Sequence, residues 1–347
     1  MPRMFQPITT PVMPARRDMG IGIIGCGGVV RWGHLPAYRN AGFNVVAIAS
    51  RTKSKVEAFA REFGIDHAYD DWQRLIDRPD VQVISLTYPF DDDRLHVLRA
   101  AAAAGKHVLI EKPMAHTRAA AEEMVAIARA GNIHLAVNQN ARFCPQYWAA
   151  QQAVAQGLIG EVYFVSHEMQ NHQDSLAWFH EGYYPKQERF QLIEYTVHHA
   201  DLVRFWTGVE PSNVRCTIGR RPGQRTRGEM LVALTMRLPN AGLVTLVDDN
   251  VSHKDAPPIS RFRLEGTHGV IEGTTLSRTR FAIRSDDLAP GEHEFNLPGD
   301  WFPNSFAGTM GELMRAIHTG EESTLSAADN LKTLSILFDA YADAERN

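Results

Sequence analysis

The sequence predicts an α/β protein in two parts: a doubly wound domain with a parallel sheet over residues 19–141, and an α+β domain over 142–347 with a large, mostly antiparallel open sheet. Three observations predict it. A glycine-rich turn, Gly25-Cys26-Gly27-Gly28, separates a short apolar run from a helix-like stretch. Apolar runs and helical stretches then alternate as far as Ala141, and beyond Asn140 strand signals follow one another through turns. Residues 1–18, with four prolines and no apolar stretch, read as a flexible leader.

The first element is the β-type run Ile21-Gly22-Ile23-Ile24, which feeds the glycine turn and then a helix from Trp32 to Asn40. Glycines at 25 and 27 permit a sharp turn and a close approach of backbone to a pyrophosphate, whose charge the next helix's N–H groups and dipole stabilise. Gly25, Gly27, Gly28 and Val29 are therefore candidate cofactor ligands, although Val30 occupies the third glycine position of G-x-G-x-x-G. A second strand, Asn44 to Ala49, ends at Ser50-Arg51. An acidic residue there would bind a ribose 2′-hydroxyl. Ser50 and Arg51 suit a 2′-phosphate instead, so NADP is the expected cofactor in preference to NAD. Lys55 reads as part of a solvated helix start.

Further strands are expected at Val81 to Leu86, His107 to Ile110 and His134 to Val137, with helices at Lys53 to Phe63, Arg94 to Ala104 and Thr117 to Ala130. A parallel sheet binds its ligand beyond the carboxyl ends of its strands, where Gly25, Ser50, Thr87, Lys112 and Asn138 fall. Glu111-Lys112-Pro113, closing the fourth of these apolar runs, sets a lysine where the reactive ring of a dinucleotide belongs.

After Asn140 come a helix, Pro145 to Gln156, and strands at Glu161 to Met169, Asn213 to Gly219, Met230 to Leu238, Leu243 to Val247, Phe262 to Leu264 and Val270 to Glu272. A final helix pair spans Gly311 to His318 and Ala327 to Glu345, the last able to pack back on the first domain. Between the first two strands lies a helix, Phe190 to Thr207, on which Glu194, His198 and Asp201 fall on one face at i, i+4 and i+7. A carboxylate one turn from an imidazole can orient it and raise its pKa toward neutrality, which suits proton transfer. No metal is expected: Glu194, His198 and His199 do not form H-E-x-x-H, and His199 points away from His198.

Composition narrows the class. A chain of 347 residues, 44% hydrophobic with net charge −4, gives no reason to expect a nucleic-acid or membrane partner. Arg220, Arg221, Arg225 and Arg227 read as a solvated hairpin loop. Cys26, Cys144 and Cys216 suggest neither a disulfide framework nor a metal site, and fit a cytoplasmic protein. Arg16-Arg17 precedes the first strand rather than a signal-type apolar segment, so export is not expected.

These segments resemble the glucose-fructose oxidoreductase, inositol dehydrogenase and rhizopine-catabolism (Gfo/Idh/MocA) family from about Met19 onward. The likeness rests on Gly22 to Gly28 with His34-Leu35-Pro36-Ala37, Gly105-Lys106-His107-Val108 leading to Glu111-Lys112-Pro113, and Val137-Asn138-Gln139-Asn140 with Arg142-Phe143. It continues in Gly157-Leu158-Ile159-Gly160-Glu161-Val162 and Val197-His198-His199-Ala200-Asp201.

The resemblance implies a Rossmann domain, an open sheet that supports a homodimer or homotetramer, and hydride transfer between NADP or NAD and a sugar or polyol carbon. It makes Lys112 the hydrogen-bond donor to the reacting oxygen and His198 the acid/base, with Glu194 where family members carry aspartate. Val29, Thr87, Glu111, Lys112 and Asn138 join the cofactor set, and Lys112, Asn138, Tyr184, Glu194 and His198 the substrate set. Two stretches depart from the family pattern: a longer loop after Thr87-Tyr88-Pro89-Phe90, running through Asp91 to His96, and Arg189 to Ile193 before the catalytic helix. Trp178, His180, Tyr183, Tyr184 and Trp301-Phe302-Pro303 lie in loops that can stack on a sugar ring. Two rival readings belong to other classes: a nicotinamide-dependent glycosidase working by transient oxidation and elimination, and a non-catalytic dinucleotide sensor.

Overall fold

The structure, a computed structural model, describes residues 2–11 and 13–346. The chain forms two compact units, one made of Thr10–Phe143 and Asp300–Leu331, the other of Met1–Thr9, Cys144–Gly299 and Lys332–Asn347.

The first unit is built on six parallel strands: β1 (Ile21–Ile24), β2 (Val45–Ala49), β3 (His67–Tyr69), β4 (Val83–Leu86), β5 (His107–Ile110) and β6 (Leu135–Val137), in the order β3-β2-β1-β4-β5-β6. Every residue of β1, β4 and β6 is buried, as a sheet covered on both faces requires. Helices α1 (Leu35–Ala41), α2 (Lys53–Phe63), α3 (Trp72–Ile76), α4 (Asp91–Ala103) and α5 (Arg118–Ala130) alternate with the strands. Five strands stand where hydrophobic patterning put them. β3 and α3 had no such signal, being three and five residues long.

The loop expected from Asp91 to His96 is instead the start of α4. Asp91, Asp92 and Asp93 occupy its first turn, where negative charge is stabilised by the helix dipole. Residues 300–331 complete this unit: α8 (Ser305–Thr319) and the segment after it run beside β6, where Val137 N donates to Leu325 O at 2.9 Å.

The second unit carries an eight-stranded sheet of β7 (Val162–Gln170), β8 (Ser212–Gly219), β9 (Leu231–Arg237), β10 (Leu243–Asp249), β11 (Ile259–Gly266), β12 (Gly269–Thr274), β13 (Arg280–Ser285) and β14 (His293–Glu294). Its order is β14-β13-β12-β11-β7-β10-β9-β8, antiparallel throughout except where β10 runs parallel to β7. Alternation in β9, buried at Val232, Leu234 and Met236 and exposed between them, marks one covered face and one open face. Over the covered face lie α6 (Pro145–Ala155) and α7 (Val197–Thr207); Trp206 of α7 stacks on Phe262 at 5.2 Å and donates its indole N–H to Tyr147 O at 3.0 Å. The last helix, α9, spans Ala327–Ala344.

Two segments read as loose loops are fastened here. Near the N-terminus, Phe5 packs on Phe281 and Phe295, and Gln152 holds the backbone N–H and C=O of Ile8 at 2.9 and 2.8 Å. The arginine-rich connection between β8 and β9 is not simply solvated. Buried Asp174 accepts from the backbone N–H groups of Arg225 and Thr226 and from the Thr226 hydroxyl at 3.0, 2.9 and 2.7 Å. Among the described residues no helix is long and apolar enough to cross a membrane.

Candidate active site

The candidate residues fall in two groups, one in each unit. In the first unit the parallel order sends the ends of β1, β2, β4, β5 and β6 to one edge, and with them Gly25, Ser50, Thr87, Lys112 and Asn138.

At the first turn Gly25 has φ +119°, and a Cβ there would lie 2.0 Å from Thr87 Oγ1, so only glycine fits. The Thr87 hydroxyl is itself tied to Ile24 O at 3.0 Å, which locks the turn against β4. A Cβ on Gly27 would meet nothing within 4 Å. The helical run that follows begins at Gly28, after Gly27, which has no side chain to cap it, and then passes into a wide π-helical turn, Val30–His34. Open space beside a glycine and uncapped N–H groups at a helix start fit the pyrophosphate of a dinucleotide. At the end of β2, Ser50 is half-buried and Arg51 exposed; the Arg51 guanidinium lies 5.5 Å over the Tyr88 ring and 3.6 Å from Asp93.

Beneath Lys112 is a polar network that sequence reasoning did not assemble. Glu111, buried at the end of β5, has both carboxylate oxygens engaged. Oε1 accepts from His34 Nε2 and Asn138 Nδ2, each at 2.5 Å, and Oε2 from the Lys112 backbone N–H at 3.2 Å. Because a carboxylate only accepts, His34 Nε2 is the donor in that bond; its Nδ1 is 2.9 Å from the Tyr38 hydroxyl, which burial holds in the phenol form. Thr309 of α8 donates to Asn138 Oδ1 at 2.6 Å. From α4, the buried Arg94 guanidinium reaches the carbonyls of Tyr88, Pro113 and Met114, pinning the chain just past Lys112. Burial alone would raise the Glu111 pKa; the His34 bond, the charges of His34 and Lys112 and the Asn138 bond outweigh it, and the net shift is downward.

The second group sits at the start of α7. Another π-helical turn, Leu192–Thr196, precedes it, so the single helix expected from Phe190 is a wide turn joined to an α-helix. Buried Glu229, from the β8–β9 connection, takes the backbone N–H groups of Phe190 and Leu192 at 3.1 Å each and the Tyr341 hydroxyl at 2.7 Å. That capping carboxylate stabilises the helix start, whose N–H groups would otherwise lack partners. Glu194 is fully buried and accepts from the Tyr183 hydroxyl at 3.1 Å; His198 is buried, and Asp201 accepts from Thr333 at 3.0 Å. Tyr184 lies flat against Phe179, interplanar angle 1°, and edge-on to Phe190. Tyr183, its neighbour, is the tyrosine that reaches Glu194.

His167, His199 and Asp248 form a buried trio whose ligand-type atoms lie within 4.8 Å of one another. His199 Nδ1 is 2.8 Å from Asp248 Oδ1, and the two imidazoles stack at 3.8 Å and 25°. His199 Nδ1 is taken up by Asp248, and the two imidazoles lie face to face rather than converging on one point as the ligands of a single ion do. The trio reads as an internal hydrogen-bonded stack.

A six-stranded parallel sheet with a glycine turn opening on an uncapped helix start defines a dinucleotide-binding fold. The profile of the oxidoreductase family with an NAD-binding Rossmann fold, GFO/IDH/MocA, matches residues 19–139, and that of the GFO/IDH/MocA C-terminal domain matches 147–272. The chain belongs to this family of NAD(P)-dependent oxidoreductases. It is 29% identical to 1,5-anhydro-D-fructose reductase of Ensifer adhaerens over 89% of this chain and 93% of that one. It is 25% identical to D-apiose dehydrogenase of Paraburkholderia graminis over 98% and 91%. An Agrobacterium radiobacter oxidoreductase solved with NAD+, L-tartaric acid and magnesium shares the fold, with TM-score 0.83, 20% identity and coverage of 94% and 96%.

The lowered Glu111 pKa fixes a sign. Its stabilisation is complete above the unfolded carboxyl value of about 4.3 and is lost as pH falls through the folded value. Glu111→Gln must turn an NH2 toward at least one of three donors, so at pH 7 it should lower stability by about 1–3 kcal/mol. Urea midpoints should show that gap narrowing as pH falls below the unfolded carboxyl value; a gap that does not change with pH would contradict the assignment.

Proposed function

We propose that this protein moves hydride between a nicotinamide dinucleotide and the secondary alcohol or ketone carbon of a sugar, polyol or glycoside. The observation that carries the reading is the Glu111–His34–Asn138 network, which holds Lys112 at the carboxyl end of β5 on the dinucleotide edge of the sheet. Sugar substrates in the names of the relatives, among them levoglucosan dehydrogenase of Pseudarthrobacter phenanthrenivorans, support the substrate class.

Gly25, Gly27, Gly28 and Val29 hold the pyrophosphate through backbone N–H groups, and Ser50 and Arg51 the adenosine ribose, with Thr87 setting the turn. The bound dinucleotide supplies the hydride acceptor or donor. When the alcohol's C–H bond breaks, its O–H must lose a proton; the His198 imidazole takes it, and Lys112 Nζ donates a hydrogen bond to the developing alkoxide. In reduction His198 returns the proton to the same oxygen. Glu194, held by Tyr183, orients the imidazole, and Glu111 and Asn138 act from beneath Lys112. The open sheet face, with Leu243, Val247 and Ile259 exposed, forms a homodimer or homotetramer interface; sedimentation of a monomer at micromolar concentration would exclude it.

Absorbance of the reduced nicotinamide is the test, over a panel containing 1,5-anhydro-D-fructose, D-apiose, levoglucosan and myo-inositol with both cofactors. Steady conversion supports a dehydrogenase; glycoside cleavage without net cofactor change, or tight binding with no reaction, would replace it with a hydrolase or a sensor. Lys112→Met should reduce kcat by about 100-fold or more while dinucleotide affinity, read by fluorescence titration, stays within about twofold. A variant with normal kcat would end the proposal.

Arg51 also decides the cofactor. NADP is the preferred form, since a guanidinium can grip the 2′-phosphate, although Asp93 competes for it at 3.6 Å. Arg51→Ala should raise the KM for NADP(H) by about tenfold or more and leave that for NAD(H) nearly unchanged. Equal effects on both would show that Arg51 does not read the phosphate.

A further inference from the structure

Asp248 is a buried carboxylate for which the reaction above has no use. It lies on β10, a central strand paired with β7 on one side and β9 on the other, and so belongs to the most constrained part of the second unit. Its bonds go to the start of the helix that carries His198. The Thr196 hydroxyl donates to Oδ2 at 2.5 Å, and His199 Nδ1 lies 2.8 Å from Oδ1 and 2.9 Å from Oδ2. In sequence these two residues bracket His198.

We propose that Asp248 is a positioning residue for turnover: by holding Thr196 and His199 together it fixes the rotation of the first turn of α7, and with it the direction in which His198 projects. The inference rests on the reading of His198 as the acid/base.

The junction explains why such a clamp matters. The π-helical turn Leu192–Thr196 meets the α-helix at Val197, and an i→i+5 turn holds one residue more than an α-helical one. Relaxing it to α geometry would rotate the residues before the wide turn by about 100° relative to His198, one residue's share of a 3.6-residue turn, and Glu194, inside the turn, by part of that angle. Thr196 is the last residue of the wide turn and His199 lies in the first turn of the α-helix. One carboxylate bonded to both prevents the slip.

The far side of His199 is equally restrained. His167 stacks on it, and the His167 Nε2 is 2.9 Å from the Tyr147 hydroxyl, which in turn lies 3.0 Å from Ser260 and 3.1 Å from Thr275. Burial, with the His199 charge second, pushes the His167 pKa well below its ordinary value, so the stack does not set two cations face to face. His199 is thus held at its edge by Asp248 and on its face by a neutral ring anchored to two strands, a helix and the residue that follows β12.

The test is a double-mutant cycle on the full chain, using the panel sugar turned over fastest at saturating cofactor. His198→Asn should lose about 100-fold or more in kcat. Asp248→Asn should lose about tenfold or more, with dinucleotide affinity within about twofold, because a displaced acid/base slows chemistry without disturbing the other unit's cofactor site. The double variant should be no slower than His198→Asn alone, since a residue that acts through His198 has nothing left to position. Losses that multiply, or a normal kcat in Asp248→Asn, would overturn the inference while leaving His198 as the acid/base. A normal kcat in His198→Asn would remove that reading and this inference with it. Should Asp248→Asn fail to fold, Thr196→Val deletes one bond at constant volume and must show the same non-additivity with His198→Asn.

Discussion

A buried carboxylate must have its lone pairs met by donors, and Glu111 imposes that demand at the end of a buried strand. Its partners come from a helix start (His34), the next strand's end (Asn138) and its own successor (Lys112 N–H). Meeting the demand therefore draws the glycine turn's helix, the edge of the sheet and the Glu-Lys-Pro turn into one arrangement. Arg94 supplies the converse, a buried cation that gives three hydrogen bonds, from Nε and one terminal nitrogen, to backbone carbonyls of the flanking loops. Lys112 is thus set by backbone held on both sides, not by the preferences of its own flexible stem.

The second unit solves a similar problem three times with acidic side chains. Asp174 holds the connection between β8 and β9, Glu229 caps the wide turn before α7, and Asp248 grips that turn's junction with the helix. Each puts a charge where irregular backbone leaves N–H groups or hydroxyls without regular partners. The sheet supplies rigidity and the carboxylates transmit it to segments with no ladder of their own. That division of labour places exact side-chain geometry on a long, irregular connection between β7 and α7.

Much of the architecture was legible in the sequence because its elements are long or strongly patterned. The alternation up to Ala141, the parallel edge that gathers Gly25, Ser50, Thr87, Lys112 and Asn138, and the antiparallel second sheet all follow from hydrophobic period and glycine placement. Short elements escaped: β3, α3, β13 and β14 carry too few residues for a period to show, or lie in charged stretches such as Arg280–Ser285. Asp91 to Asp93 looked like loop, yet charge at a helix start is a helix signal when read against the dipole. Partners of the site residues were hidden for another reason. Thr309 lies 171 positions from Asn138, and Glu229 lies 37 from Leu192, so no local pattern joins them. The packing of Tyr184 on Phe179 and Phe190, and the bond of Tyr183 to Glu194, likewise join residues that only the folded chain brings together.

The passage of residues 300–331 back into the first unit bears on how this polypeptide could be divided. Leu325 O accepts the Val137 N–H, Thr309 meets Asn138, and Arg142 donates to Thr324 O, so β6 and the network under Lys112 borrow donors and acceptors from near the far end of the chain. An excised N-terminal fragment stopping near residue 141 would leave those buried groups facing water or one another. The nucleotide-binding half is a mosaic of two stretches, and it cannot close until synthesis has passed residue 331.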